Sequence, residues 1–202
     1  MNYSLDQIKA VIAKKGYVFF DSKVPFNLNF IGVRKTINSV VDTFEDDLYM
    51  AYYDQNLNFL VKRYNFTTKP GLCILQHPIN ADGAFILVPG QYRHAFKLGL
   101  HHGTYECLVQ AIALPGYRDN NKDGKFDYDP ATIVPGSVND GIHCHHGSVF
   151  HTDYPVGPYS AGCQVVEIFN EYQNEVLPTW KESLTLSDAL TYTLLEDKDF
   201  LI

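Results

Sequence analysis

The sequence predicts a mostly β fold, a sandwich or a barrel, with a short N-terminal helix and one or two further short helices. The chain is rich in aromatic side chains, with 14 Tyr and 13 Phe, and such residues fit half-buried strands better than helices. Short apolar or alternating segments are separated by regular turn signals, which favours a sandwich or a barrel over repeated β-α-β units. Because the 202 residues show no repeat and no linker, we expect a single domain over residues 1–202.

The N-terminal segment carries the signature of a helix. Ser4 and Gln7 have the spacing of a capping box, in which each side chain accepts a hydrogen bond from the backbone N–H of the other residue. The apolar residues that follow share one helical face, and Gly16 is a stop signal. We therefore predict a helix over residues 4–15, with the segment 1–16 packed on the rest of the domain.

From residue 26 onward the pattern is that of short strands. Residues 26–30 alternate strictly between apolar and polar, which predicts a strand with one buried face. Gly and Pro punctuate the chain at residues 69–71 and 115–116, among other places. A second helix is predicted over residues 170–177, closed by Pro178. The remaining predicted strands cover residues 48–53, 59–64, 84–88, 105–113, 165–169 and 190–195.

Charge and apolar content argue against two classes of protein. The formal net charge is -7, with no local cluster of Lys or Arg, whereas general nucleic-acid binding needs clustered positive charge. No apolar stretch approaches the about 20 residues that span a bilayer, and the N-terminus lacks the basic and apolar regions of a secretory signal. We expect cytoplasmic synthesis, with release or a phage particle delivering the protein if it acts on a cell wall.

Histidines concentrate in the segment 141–151, which holds four of the eight. If residues 141–146 form a strand, its side chains alternate between two faces. One face then carries Ile142, Cys144 and His146, of which the first two suit a core. The other face carries the imidazoles of His143 and His145. We expect His143 and His145 to face a groove or solvent.

Cys163 is the candidate nucleophile. It follows Gly162 in a turn before an apolar strand, where its sulfur can lie beside free backbone N–H groups that suit attack on a carbonyl. We predict His145 as the base that makes the thiol a thiolate near neutral pH. Ser160 is expected to orient the imidazole, and the N–H groups of Gly162 and Cys163 are expected to form the oxyanion hole. The other cysteines, Cys73, Cys107 and Cys144, show no CxxC spacing and are interpreted as small buried hydrophobes.

These residues resemble the YkuD-type L,D-transpeptidases, in which a histidine, a spacer and a Ser/Thr-His-Gly-Cys motif follow one another. Fourteen residues separate His145 from Ser160 here, a spacer typical of that family, whereas counting from His146 gives one residue fewer. His145 is therefore the first choice for the base and His146 the second. Ala161 stands where the family has its second histidine. The resemblance covers residues 141–169.

The resemblance implies a mostly β fold and a cysteine that is acylated by a peptidoglycan stem peptide. The acyl group then passes to an amine or to water, and transpeptidase and hydrolase stay open. No cofactor is expected for this catalysis. The chain also resembles uncharacterised proteins of bacteriophages and their hosts, which suggests a phage-related cell-wall enzyme. The expected substrate-binding residues are His143, His146, Tyr92, Arg93 and Arg118.

A possible calcium loop spans residues 119–129. Its oxygen-bearing side chains have the spacing with which a calcium loop begins, and Gly124 occupies the glycine position. Pro130 stands where the bidentate Glu of an EF-hand belongs, although Asp129 could substitute for it. The alternative is a polar turn. The predicted ligands are Asp119, Asn121, Asp123 and Asp127.

Two alternatives to the cysteine enzyme remain at this point. A zinc-dependent hydrolase would use His143 and His145, since two imidazoles on one strand face are half of a common zinc site. Cys163, His101 or an acidic residue would complete such a site. The other alternative is a non-catalytic virion or binding protein on the same scaffold.

Overall fold

A computed structural model describes residues 2–201 of the chain and confirms the mostly β fold. The strands, in chain order, are β1 (Asn29–Arg34), β2 (Asp46–Tyr53), β3 (Phe59–Thr67), β4 (Ala84–Leu87), β5 (Gly90–His101), β6 (Tyr105–Gln110), β7 (Gly116–Asp119), β8 (Ile133–Val134), β9 (Cys144–His146), β10 (Gln164–Val166) and β11 (Leu190–Glu196). Eight of them close a barrel in the order β1-β11-β5-β6-β9-β10-β3-β2. The others form a second sheet in the order β4-β7-β8. Of the two predicted forms, a sandwich or a barrel, the chain therefore adopts the barrel.

The main core fills the inside of the barrel. Each barrel strand contributes inward side chains to one buried cluster, such as Phe30 from β1, Phe96 from β5 and Tyr192 from β11. The rings of Phe96 and Tyr192 both contact the ring of Phe30, at centroid distances of 6.3 and 4.7 Å. Trp180 also packs on Phe30 and is fully buried. Burial of large apolar side chains of this kind is the dominant favourable term in folding.

The N-terminal helix α1 (Leu5–Lys14) agrees with its prediction. Both hydrogen bonds of the Ser4–Gln7 capping box are present. The buried face of α1 covers the outside of the barrel, where alternate residues of β1, β2 and β11 point outward. That second cluster comprises Ile8, Val11 and Ile12 of the helix with Ile31, Val33, Tyr49 and Leu195 of the strands.

The helix predicted over residues 170–177 is longer than expected. It consists of α3 (Phe169–Glu171), a π-helical turn (Tyr172–Val176) and α4 (Leu177–Ser183). The expectation that Pro178 ends this helix is wrong, because Pro178 lies in the first turn of α4. Pro178 directly follows the π-helical turn, where the regular i→i−4 hydrogen bonding that a proline interrupts is already replaced. A further helix, α2 (Leu72–Gln76), follows the Gly71 turn.

Several predicted strand limits shift in the structure. β1 starts at Asn29 and not at residue 26, because Phe26 has a φ of 58°, which is incompatible with an extended strand. The strand predicted over 105–113 ends at Gln110, and the strand predicted over 165–169 is β10. The sequence did not predict β5, β7 and β8. In residues 2–201, none of the helices has the length and apolar character that a membrane crossing requires.

Candidate functional site

The candidate site lies on β9, which the barrel places between β6 and β10. Cys144 of β9 is paired with Leu108 of β6 on one side and with Gln164 of β10 on the other. Cys144 belongs to the buried core inside the barrel. The imidazoles of His143 and His145 lie on the outer face, where they contact side chains outside that core. The alternation predicted for this segment is therefore present, although the regular strand is only three residues long.

Cys163 lies in a tight turn that enters β10. Gly162 has a φ of 124°, and a Cβ built at this position would lie 2.8 Å from the carbonyl oxygen of Phe85, so only glycine fits here. The fully buried Ser160 hydroxyl donates to the carbonyl of Cys163 at 2.8 Å and accepts from the N–H of Gly162 at 3.2 Å. Ser160 thus holds the cysteine turn together, in place of the expected role of orienting the imidazole. The Gly162 N–H is occupied by the same hydroxyl.

The Cys163 thiol is largely buried, with 9% of the residue exposed, in a cluster with Phe44 and Val156. Its sulfur accepts from the N–H of His143 at 3.5 Å and donates to the carbonyl of Gly141 at 3.6 Å. Burial raises the pKa of the Cys163 thiol to about 11, against a smaller lowering by the His143 N–H. The expected thiolate at neutral pH is therefore wrong for the resting protein, whose sulfur carries its proton.

His145 is buried and held in one orientation. Its Nδ1 atom lies 2.7 Å from the carbonyl oxygen of His146 and 3.2 Å from the hydroxyl of Tyr105. Because a carbonyl only accepts, Nδ1 carries the hydrogen and Nε2 bears the free lone pair. Within the described chain, this buried Nε2 has no hydrogen-bond partner. Burial, and next the neighbouring His101, lower the pKa of His145 to about 3, so the imidazole is neutral.

His101 connects the two histidines of the outer face. Its ring packs on that of His145 with a centroid distance of 4.0 Å, and its Nδ1 lies 3.0 Å from Nδ1 of His143. Cys107 of β6 is fully buried, and its sulfur lies 4.0 Å from the same Nδ1 of His143. Ligand atoms of His101, Cys107 and His143 therefore converge. The predicted pairing of His143 with His145 as zinc ligands needs correction, since His145 is not part of this group.

His146 lies at one wall of a groove next to His145. The ring of His146 packs on Tyr105 at 4.3 Å and on Phe169 at 4.8 Å. The groove has a volume of about 600 Å³ and is lined by apolar and polar side chains, among them Leu100, Thr104, Tyr105, Glu106, His146 and Phe169. Neither His145 nor Cys163 is among the residues that line this groove.

Two of the predicted substrate-binding residues lie elsewhere. Tyr92 donates to the carbonyl of Val88, and Arg93 stacks on the ring of Phe20, at 5.6 Å from its centroid. Arg93 and His101 are eight residues apart along β5, which corresponds to roughly 20–25 Å in a bulged strand. The structure therefore does not bring Tyr92 and Arg93 to the Cys163 turn.

Arg118 lies near that turn. Its guanidinium is 5.2 Å from the ring centroid of Phe85, the residue that backs Gly162. It also lies 3.7 Å from the carboxylate of Asp140, next to the Gly141 that accepts from the Cys163 thiol. Of the two predicted arginines, Arg118 is thus the one that the fold places near the cysteine turn.

The predicted calcium loop contains a series of hydrogen bonds from backbone N–H groups to its own side chains. Asp119 accepts from the N–H of Asp127 at 2.9 Å, and Asn121 accepts from the N–H of Asp123 at 3.0 Å. Asp123 and Asp127 accept in the same way from residues two positions further on. These are the contacts of a polar turn, and a calcium site here stays a prediction.

Two residues of the site, Tyr105 and Cys107, were not identified as such from the sequence, whereas His101 was named only as a possible third zinc ligand. They lie on the β5–β6 hairpin, in which His101 is paired with Tyr105. The alternation Tyr105, Cys107 along β6 was available as a signal, because both side chains then share one face. The pairing of this face with β9 is non-local and has no signal in the sequence.

Comparisons of the chain with family models, with curated proteins and with solved structures found no match. The likeness to L,D-transpeptidases therefore rests on the residues of the motif alone.

Proposed function

We propose that the protein catalyses acyl transfer or hydrolysis on peptidoglycan stem peptides, with Cys163 as nucleophile and His145 as general base. The observation that carries this proposal is the hydrogen bond from Nδ1 of His145 to the carbonyl of His146. It leaves Nε2 as an unpartnered, buried lone pair on the outer face of β9. A general base needs such a fixed, unprotonated nitrogen.

The thiol lies on the same face as His145, although its sulfur contacts the backbone of Gly141 and His143 and not the His145 ring. Gln164 of β10 is paired with Cys144 of β9 in parallel register, so Cys163 precedes β10 beside His143, and both lie on the face that carries His145. The thiol is protonated in the resting protein, because burial raises its pKa. Loss of the thiol proton is thus coupled to attack, and no thiolate–imidazolium pair exists beforehand.

The reaction follows in two steps. The thiol proton passes to Nε2 of His145 while the sulfur bonds to the carbonyl carbon of the peptide. The oxyanion of the tetrahedral intermediate accepts a hydrogen bond from the N–H of Cys163, because the N–H of Gly162 already donates to Ser160. The imidazolium then protonates the leaving amine as the peptide C–N bond breaks, and a thioester remains. An amine or a water molecule then attacks the thioester and gives its proton to His145. As the C–S bond breaks, the imidazolium returns that proton to the Cys163 sulfur, which restores the thiol and the neutral imidazole.

The groove at His146 supports an extended substrate. It opens between Tyr105 and Phe169, next to the base. The Arg118 guanidinium lies near the opposite side of the cysteine turn. A guanidinium binds carboxylates well, which favours a substrate that carries one. Stem peptides carry both an extended backbone and carboxylates.

The proposal is tested by incubating the protein with muropeptides from purified peptidoglycan and following their masses by liquid chromatography. Transfer produces cross-linked products, and hydrolysis produces shortened peptides with one added water. Cys163→Ala removes both, while Cys73→Ala, which changes an exposed cysteine, retains the wild-type rate. Wild-type turnover by a folded Cys163→Ala protein contradicts the covalent mechanism. Lack of turnover by the wild-type chain on every muropeptide supports the non-catalytic alternative.

A further inference from the structure

A group of metal-ligating side chains lies on the β6 side of β9, separate from the cysteine turn on the β10 side. The Nδ1 atoms of His101 and His143 are 3.0 Å apart. The sulfur of Cys107 is 4.0 Å from Nδ1 of His143. One ligand atom from each of the three residues lies within 4.8 Å of the other two.

These distances are close to those of a tetrahedral zinc site. With Zn–N bonds of about 2.0–2.1 Å and a Zn–S bond of about 2.3 Å, two nitrogen ligands are about 3.3 Å apart, and a sulfur and a nitrogen about 3.6 Å. The two measured contacts, 3.0 and 4.0 Å, differ from these values by a few tenths of an ångström. The third pair, His101 and Cys107, lies within 4.8 Å, so the three residues can close on one ion by side-chain rotation.

The hairpin that joins β5 and β6 presents His101 to this position. His102 and Gly103 both have positive φ, 46° and 73°, and the N–H of Thr104 donates to the carbonyl of His101 at 2.9 Å. This tight turn pairs the end of β5 with β6, and from there the His101 ring reaches the rings of His143 and His145. His101 and His143 are both partly exposed, which gives an ion access, whereas Cys107 is fully buried beneath them.

We propose that His101, Cys107 and His143 bind one zinc ion through two imidazole nitrogens and one thiolate, with the fourth position open to water. Two imidazoles and a thiolate form a borderline-soft ligand set that suits zinc. Binding displaces the thiol proton of Cys107, so one proton is released for each ion bound.

The site shares only one residue with the proposed acyl-transfer machinery. His143 contributes its ring to the metal and its backbone N–H to the Cys163 sulfur. Neither Cys163 nor His145 is a ligand. The zinc site is thus independent of whether the acyl-transfer proposal holds, and its test uses no activity.

Zinc binding is measured on the full chain after chelator treatment and dialysis, by elemental analysis and by titration with cobalt(II) as a spectroscopic probe. We expect one ion per chain and a sulfur-to-cobalt charge-transfer band. Cys107→Ser abolishes that band, and His101→Ala and His143→Ala weaken affinity roughly tenfold or more. His102→Ala, an exposed histidine on the same hairpin, and Cys163→Ser retain the band and the affinity.

Two outcomes overturn the proposal. Absence of stoichiometric metal in the wild-type protein at micromolar zinc does so directly. A charge-transfer band that survives Cys107→Ser and disappears in Cys163→Ser also does so, because it assigns the ion to the nucleophile. Thermal unfolding of each variant without metal shows whether it is folded, and His101→Ala tests the site if Cys107→Ser is not.

Discussion

The Nδ1 atom of His145 lies 2.7 Å from the carbonyl oxygen of His146, its own neighbour in the chain. This contact determines which ring nitrogen carries the hydrogen, because a carbonyl oxygen cannot donate. In many catalytic pairs a carboxylate orients the imidazole, whereas here a backbone carbonyl does so. The role proposed for His145 follows from that polarity.

His145→Gln should lower the turnover of muropeptides by roughly 10²–10⁴-fold, the usual contribution of a general base. His146→Gln is the matched control, since His146 makes the same kind of contact, from Nδ1 to the carbonyl of Gly147 at 2.8 Å. We expect that variant to keep kcat close to the wild-type value, with any loss confined to KM because His146 lines the groove, and His143→Gln to be intermediate. If His146→Gln alone abolishes turnover, the base is His146 and the assignment moves by one residue.

Alkylation of Cys163 should be slow near neutral pH and should accelerate as the pH rises toward about 11. Burial raises the pKa of this thiol, and only the thiolate reacts. The measurement uses chelator-treated Cys73→Ser protein, because Cys73 is exposed and would react first. Peptide mapping assigns the label to its cysteine. Fast labelling of Cys163 at neutral pH with a low-pH inflection contradicts the resting thiol described here.

Glu45 should stabilise the fold at neutral pH and lose this effect in acid. Burial alone would raise the pKa of Glu45, but hydrogen bonds from Lys69 and Ser39 outweigh it and lower the pKa. A carboxyl with a lowered folded-state pKa stabilises above its unfolded-state pKa, and the effect disappears as the pH falls through the folded-state value.

The matching variant is Glu45→Gln, which should reduce the free energy of unfolding by about 1–3 kcal/mol at pH 7. The free energy of unfolding of this variant should also fall less steeply than that of the wild type as the pH is lowered. Glu182→Gln is an exposed control that we expect to change neither. Denaturant unfolding across pH checks both variants, and equal acid branches for Glu45→Gln and wild type contradict the assignment.

Calcium should raise the melting temperature if residues 119–129 bind it, because a ligand of the native state alone shifts unfolding by mass action. Burial, and in smaller part the carboxylates of Asp127 and Asp123, raise the pKa of Asp119, and a cation would relieve that repulsion. Each kcal/mol of binding corresponds to about 2–4 °C. Asp123→Ala should abolish the shift. An unchanged melting temperature at millimolar calcium leaves the loop as a polar turn.

The parts of the fold that local patterns specify were predictable. The Ser4–Gln7 capping box defined α1, and alternation placed Cys144 and His145 on opposite faces of β9. β5 was not predicted, because its alternation is interrupted. His94 has a φ of 53°, and the pairing of β5 with β11 shifts its register at this point.

The site was predictable only in part, because some of its contacts join residues that are far apart in the sequence. The spacing of His145 and Ser160 along the chain identified the residues that lie on β9 and at the start of β10. Cys107 escaped notice because its partner His143 is 36 residues away in sequence, and barrel closure alone brings them together. The pKa of Cys163 also depends on Phe44 and Val156, which pack over it from distant segments.

The most direct test of the central claim is the mass of the intact protein after brief incubation with a purified stem peptide and rapid acid quenching. We predict an adduct whose added mass equals that of the peptide acyl group. Peptide mapping should locate it on Cys163, and hydroxylamine should remove it, as expected for a thioester. His145→Gln should form this adduct more slowly, and Cys163→Ala should not form it. An adduct on Cys73, Cys107 or Cys144 would contradict this mechanism. Turnover of the peptide by both the wild-type and the Cys163→Ala protein, with no adduct on either, would contradict it as well.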